Sequence, residues 1–220
     1  MLKSYISLFL KGIALGSANV IPGVSGGTIA LITGIFERLI NAIKSFNLTA
    51  IKFLLKGKIK DFVKHTDLYF LLAVFSGVGV AIISLAKIFG FLFENYPIFI
   101  WSFFFGLILA SVFFVGKRIE KWNIAVFISL IVGAVAAFTL SFLSPATENS
   151  SFVYLIICGV VAIISMILPG LSGSFVLILM GNYQLVMIDS INNLDFKILI
   201  PVVVGAGVGL LAFSYILSWI

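Results

Sequence analysis

NVIPGVSGGTIALITGIFERL, residues Asn19 to Leu39, breaks an apolar run with Pro22-Gly23, follows with Ser25-Gly26-Gly27-Thr28, and then resumes. A helix that only crossed lipid would not carry this interruption. Proline and glycine cost about 3 and about 1 kcal/mol in a helix interior, and hydrocarbon offers the freed backbone groups no water. The break therefore predicts a span whose middle is buried in protein or faces a polar cavity.

The chain around it has 220 residues, 62% hydrophobic and 10% charged, with a mean hydropathy of +1.27. A soluble domain carries about 25% charged residues, and runs near the ~20 residues that span a bilayer recur from end to end. The fold class is all-α, a polytopic membrane protein with no soluble domain. The single cysteine, Cys158, excludes an intrachain disulfide and a cysteine metal site. The formal charge of +6 does not point to nucleic acid, because the cations are confined to particular loops. Lys3, an apolar run and small residues around Ala14 to Ser17 imitate a signal peptide, but Lys11 interrupts that run.

The apolar segments read as Leu2 to Ile21, Val24 to Ile43, Leu68 to Leu92, Ile98 to Val115, Ile124 to Leu143, Phe152 to Leu168, Leu171 to Ile188 and Ile198 to Ile220. Between the second and third lies a basic amphipathic stretch with Lys44, Lys52, Lys56, Lys58, Lys60 and Lys64, suited to anionic headgroups at the membrane surface. Of the 14 Lys and Arg, nine lie in 44–64 and 116–123, and Lys3 makes ten. Loops 93–97, 144–151 and 189–197 hold Lys197 against Glu94, Glu148, Asp189 and Asp195. The positive-inside rule then puts the amino terminus in the cytoplasm.

The motif occurs twice. IPGVSGGTIALITGIF (21–36) aligns with LPGLSGSFVLILMGNY (168–183), pairing Pro22 with Pro169, Gly23 with Gly170, Ser25 with Ser172, Gly26 with Gly173 and Gly34 with Gly181. FSGVGVAIISLAKIF (75–89) aligns with VGAGVGLLAFSYIL (204–217), pairing Gly77 with Gly205. The chain reads as two related halves: repeat one about 1–115, a connecting span 116–151, and repeat two about 152–220. Three spans, an odd number, separate the broken segments, so the expected arrangement is an inverted-topology repeat with two re-entrant hairpins. The second repeat is expected to lack one final span.

Small residues at Gly12/Gly16 and Gly205/Gly209 fit helix packing. The Pro-Gly breaks ask for more, since packing needs neither proline nor hydroxyls. Helix starts after each break would offer free N–H groups, a positive dipole end and the hydroxyls of Ser25, Thr28, Ser172 and Ser174, a setting that favours anions and phosphate above all. Lys11, Glu37, Arg38 and Lys87 lie in or beside spans, where charges default to functional candidates. With Pro22 at mid-depth, Lys11 and Arg38 would stand roughly 16 and 24 Å towards the cytoplasm along a continuous helix, to meet an anion or simply to reach water. Glu37 is expected to pair with one of them or to carry a proton. His65 stands alone beside Asp67.

SANVIPGVSGGTIALITGIFERLI, ILPGLSGSFVLILMGNY and ENYPIFIWSFFFGLILAS together resemble the PopT-type polyprenyl-phosphate translocases, formerly a domain of unknown function, over nearly the whole chain. The resemblance implies transport of undecaprenyl phosphate, a lipid carrier, from the outer to the inner leaflet of the cytoplasmic membrane. It places the headgroup at Ser25, Gly26, Gly27, Thr28, Ser172, Gly173 and Ser174; the added expectation that Arg38 and Lys11 receive it is read from their charge. The implied partners are the lipid and the bilayer, with no nucleic acid, metal or other cofactor; oligomeric state has no signature in these residues. A small-anion channel or transporter would use the same helix-end chemistry. A membrane-embedded lipid enzyme needs a positioned base or metal, and this chain offers one histidine and no carboxylate pair.

Overall fold

The computed structural model describes residues 2–117, 119, 121–143, 147–168 and 170–217, and every regular element among them is helical. Helix α1 (Leu2–Val20) runs to the first break; α2 (Gly26–Ile32) and α3 (Phe36–Lys44) follow it. Two short helices, α4 (Leu48–Leu55) and α5 (Ile59–His65), carry the lysine-rich stretch. Then come α6 (Leu68–Asn95), α7 (Pro97–Gly116), α8 (Ile124–Leu143) and α9 (Phe152–Ile167). After the second break stand α10 (Gly173–Leu179), a π-helical turn (Gln184–Asp189), α11 (Ser190–Asn192) and α12 (Phe196–Leu217). Pro169, expected as part of the second break, lies outside the described residues.

Among the described residues three helices are long and apolar enough to cross a membrane: Leu68–Asn95, Pro97–Phe114 and Phe196–Ile216. A polytopic all-α membrane protein is what the composition predicts. The segments after the breaks differ from expectation, however. Val24 to Ile43 is not one helix: α2 ends at Thr33, Gly34 takes φ +70°, and α3 leaves at 113° to it. Leu171 to Ile188 breaks in the same way at Met180, with Gly181 at φ +75°. Both glycines occupy the left-handed region that side chains resist, as glycines do at helix ends. The bend also removes the straight axis on which Arg38 was measured from Pro22.

The same local bonds recur at the two motifs. Val24 N donates to Ile21 O at 3.3 Å and Leu171 N to Leu168 O at 3.2 Å. Ile35 N reaches Ala30 O at 3.0 Å, and Asn182 N reaches Leu177 O at 2.9 Å. Thr33 and Met180 share φ −81° and ψ −2°.

Helix packing repeats as well. A Cβ on Gly12 would strike the Val74 carbonyl oxygen, and one on Gly77 that of Phe9. On the other pair of helices, a Cβ on Gly159 would strike the carbonyl oxygen of Val202, and one on Gly205 that of Ile156. So α1 lies backbone to backbone on α6, and α9 on α12, the close approach that small residues permit without a hydrophobic drive between helices. Gly16 makes room for Ala81 on α6; at the aligned positions Ile163 stands on α9 and Gly209 yields on α12. One member of each facing pair stays small.

The two helix pairs are joined by a buried cluster that includes Val20, Phe89, Phe104, Leu155 and Tyr183. Phe104 meets Phe89 edge-on at 5.3 Å and Tyr183 at 5.9 Å between ring centres. The Tyr183 hydroxyl, buried among these rings, donates to Val20 O at 3.0 Å, the last residue of α1. A buried tyrosine needs such a partner, and this one ties the segment after the second break to the residue before the first.

Candidate functional site

Ser25 is the N-cap of α2, extended at φ −96° and ψ 115°, and its Oγ accepts from Thr28 N at 3.3 Å. This is the standard use of serine at a helix start. Ser172 does the same for α10, accepting from Phe175 N at 3.4 Å. Before each cap a glycine turns the chain with positive φ, +83° at Gly23 and +94° at Gly170.

The two breaks meet. Gly170 N donates to Ser25 Oγ at 3.1 Å and to Thr28 Oγ1 at 3.2 Å. Gly27 permits this approach, because a Cβ there would lie 2.8 Å from the Ile167 carbonyl oxygen. Gly26 is covered by the side chain of Asn19, and Gly173 by the Ala162 carbonyl oxygen and the Met166 side chain. Gly26, Gly27 and Gly173 are therefore contact surfaces between segments, whereas Gly34 and Gly170 face open space.

The hydroxyls are left in a defined state. Ser25 Oγ accepts from two backbone N–H groups, which occupies both lone pairs and leaves the O–H to donate outward. Thr28 Oγ1 accepts from Gly170 and also retains its proton. Neither O–H has an acceptor among the described residues.

Beside them opens a cleft of 280 Å³, lined by Gly23, Val24, Ser25, Thr28 and Ile29, by Leu107, Ala110, Ser111 and Phe114 of α7, and by Gly170. Ser111 already donates to Ile108 O at 2.7 Å, so it presents oxygen rather than a proton. None of the lining residues is charged.

The other expected site residues stand elsewhere. Ser172 and Ser174 are buried and share one hydrogen bond, 3.0 Å between hydroxyl oxygens. With Gly173 they do not line the cleft. Lys11 Nζ donates to Thr33 O at 2.6 Å, capping the carbonyl end of α2 where the helix dipole favours a cation. Arg38 makes a bidentate pair with Asp67, 2.6 and 3.1 Å, and lies over the Phe70 ring at 4.2 Å. Glu37 pairs with neither cation: it is exposed in the first turn of α3, while both cations are bonded to other oxygens. His65 faces Asn47 Oδ1 at 3.4 Å and the Phe53 ring. At the loop end near residue 189, burial first and then Glu148 and Glu94 push the Asp189 carboxyl above its ordinary value.

Sequence reasoning missed Ser111, Asp67 and the second turn at Gly34. The last had a visible signal, since Gly34 and Gly181 align and follow each broken helix at the same distance. The other two had none, because α7 reaches the cleft, and Asp67 reaches Arg38, only through packing.

These features define a class: a helical membrane protein in which two interrupted segments meet at an uncharged, largely apolar cleft edged by hydroxyls. An undecaprenyl phosphate translocase-like family model matches residues 15–220. A protein of Vibrio cholerae serotype O1 named polyprenyl-phosphate transporter is 41% identical over 217 residues, 99% of this chain and 70% of its own length. A Staphylococcus aureus protein of the same name is 30% identical over 235 residues, 95% of this chain and 74% of its own. No solved structure matches the chain. The chain belongs to the undecaprenyl phosphate translocase-like family.

Proposed function

We propose that this protein translocates a polyprenyl phosphate across the cytoplasmic membrane, from outer to inner leaflet, with its amino terminus inside and its two motif halves arranged as an inverted repeat. It acts as a transporter, and the lipid's phosphate passes unchanged. The family and its relatives' names support the substrate class. The observation that carries the site is the Gly170 N–H bonded to Ser25 and Thr28, which completes the acceptor set of Ser25 and leaves two hydroxyl protons beside an open cleft.

The chemistry suits passage. Helices α2 and α10 are only 7 residues each, so their dipoles are short and the hydroxyl donors matter more. An uncharged cleft holds a phosphate less tightly than an arginine cradle does, and a site on a transport path must bind well enough to enter and weakly enough to leave. Leu107, Phe114 and Ile29 give the cleft apolar walls on which the first isoprene units can rest while the remaining tail stays in lipid.

The test reconstitutes the full chain in liposomes carrying a labelled polyprenyl phosphate, read by its accessibility to an external phosphate-binding reagent. Ser25→Ala/Thr28→Ala is compared with Ser25→Thr, which keeps the acceptor. Crossing lost in the double alanine variant and kept in the threonine variant supports the reading. Leak of phosphate or chloride without lipid crossing replaces it with an anion pathway through the same cleft.

A further inference from the structure

We propose a second phosphate site, at the membrane surface, in a cleft of 460 Å³ where α5 crosses the starts of α1 and α6. Lys60 and Lys64 line it from α5, Tyr5 from α1, Tyr69 from α6, and Asp67 from the turn between. The lysines are one helical turn apart and so share a face.

Asp67 would ordinarily cancel one lysine. Both its oxygens are instead engaged by Arg38, at 2.6 and 3.1 Å. That pair is neutral, and the two lysines leave the cleft with a local charge of +2. A phosphomonoester carries close to two negative charges at neutral pH, and the phenols of Tyr5 and Tyr69 supply further donors.

Depth argues for a lipid headgroup. Leu48, Leu55 and Ile59 on these short helices are exposed at 74%, 82% and 55%. Apolar side chains exposed on a lysine-rich helix pair mark an element lying in the membrane interface, and tyrosines favour the same level. Ile59 also lines the cleft itself, where an attached chain can leave towards the bilayer. The ligand chemistry is a phosphomonoester, on a lipid or free. The site concerns binding at one surface and is independent of the cleft at Ser25.

The experiment titrates the full chain in detergent with a fluorescent short-chain polyprenyl monophosphate, read by anisotropy, with inorganic phosphate as competitor. Lys60→Gln/Lys64→Gln weakens binding about tenfold, by the attraction lysines exert at an anionic surface. Lys52→Gln/Lys56→Gln, with the same charge removed outside the cleft, changes it less than about twofold, because neither lysine lines the cleft and salt screens exposed charges at a distance. Lys60→Arg/Lys64→Arg restores binding, which separates charge from folding. Equal losses in the two glutamine variants, or none in either, overturn the site. Inorganic phosphate competing as well as the lipid at equal concentration overturns the headgroup assignment and makes it a site for free phosphate.

Discussion

The main-chain N–H of Gly170 donates to the Ser25 hydroxyl at 3.1 Å, joining residues 145 positions apart. The bond links two copies of one motif, and it sets which way the serine proton points. Ser25→Ala removes both this acceptor and the cap of α2, which lowers stability by about 1 kcal/mol. Ser25→Thr keeps the acceptor and most of that stability. Thermal unfolding in detergent gives the comparison, and transport should fall further than stability does.

The close helix crossings predict a sharp contrast among glycines. Gly12→Ala and Gly159→Ala force a Cβ onto a backbone carbonyl and lose about 1–3 kcal/mol. Gly79→Ala and Gly207→Ala meet open space on the same helices as Gly77 and Gly205. There alanine is neutral or stabilising by up to about 1 kcal/mol. Unfolding midpoints of the four single variants check this; equal effects at all four would contradict the packing described.

Arg38 and Asp67 are side-chain exposed at 53% and 38%, so their pair contributes little on its own. Asp67→Asn is expected to lower stability by less than about 1 kcal/mol. Arg38→Ala costs somewhat more, because the contact with the Phe70 ring goes too. A double-mutant cycle separates the two contributions.

Asp189 gives a pH dependence. Its pKa is raised in the folded protein, so the folded state holds the proton more tightly than the unfolded one. This carboxyl favours folding at acid pH, and that contribution is lost as pH rises from its ordinary value through the raised one. Asp189→Asn should therefore be more stable than the parent at neutral pH, with the difference shrinking on acidification. Unfolding midpoints measured across that range read the sign directly.

Glu37 stands exposed beside Arg38 and does not line the cleft. Glu37→Gln is expected to leave the pH profile of lipid transport in place. A flattened profile would instead assign proton coupling to this carboxylate. Liposome transport at several pH values decides between them.

Much of the fold was legible because its signals are local. Pro22, Gly23 and Gly170 announce breaks through their own backbone preferences, and Gly12 and Gly205 announce close helix approach through their lack of a side chain. The repeated glycines at 34 and 181 were equally visible, yet a run of apolar residues around each imitates a continuous helix. Only the positive φ at these positions shows that the chain turns there.

By itself the sequence determined that this is a membrane protein with a doubled, interrupted motif, because burial in lipid and backbone φ are properties of residues and short runs. The tertiary structure alone decided the partners. It gave Asp67 to Arg38, the Thr33 carbonyl to Lys11, and the Gly170 N–H to Ser25 and Thr28. It also buried Ser172 and Ser174 against each other while leaving the Ser25 hydroxyl on the wall of a cleft. Which of two like hydroxyls becomes a donor depends on what packs within about 3 Å of it, and that distance is set by how whole helices cross.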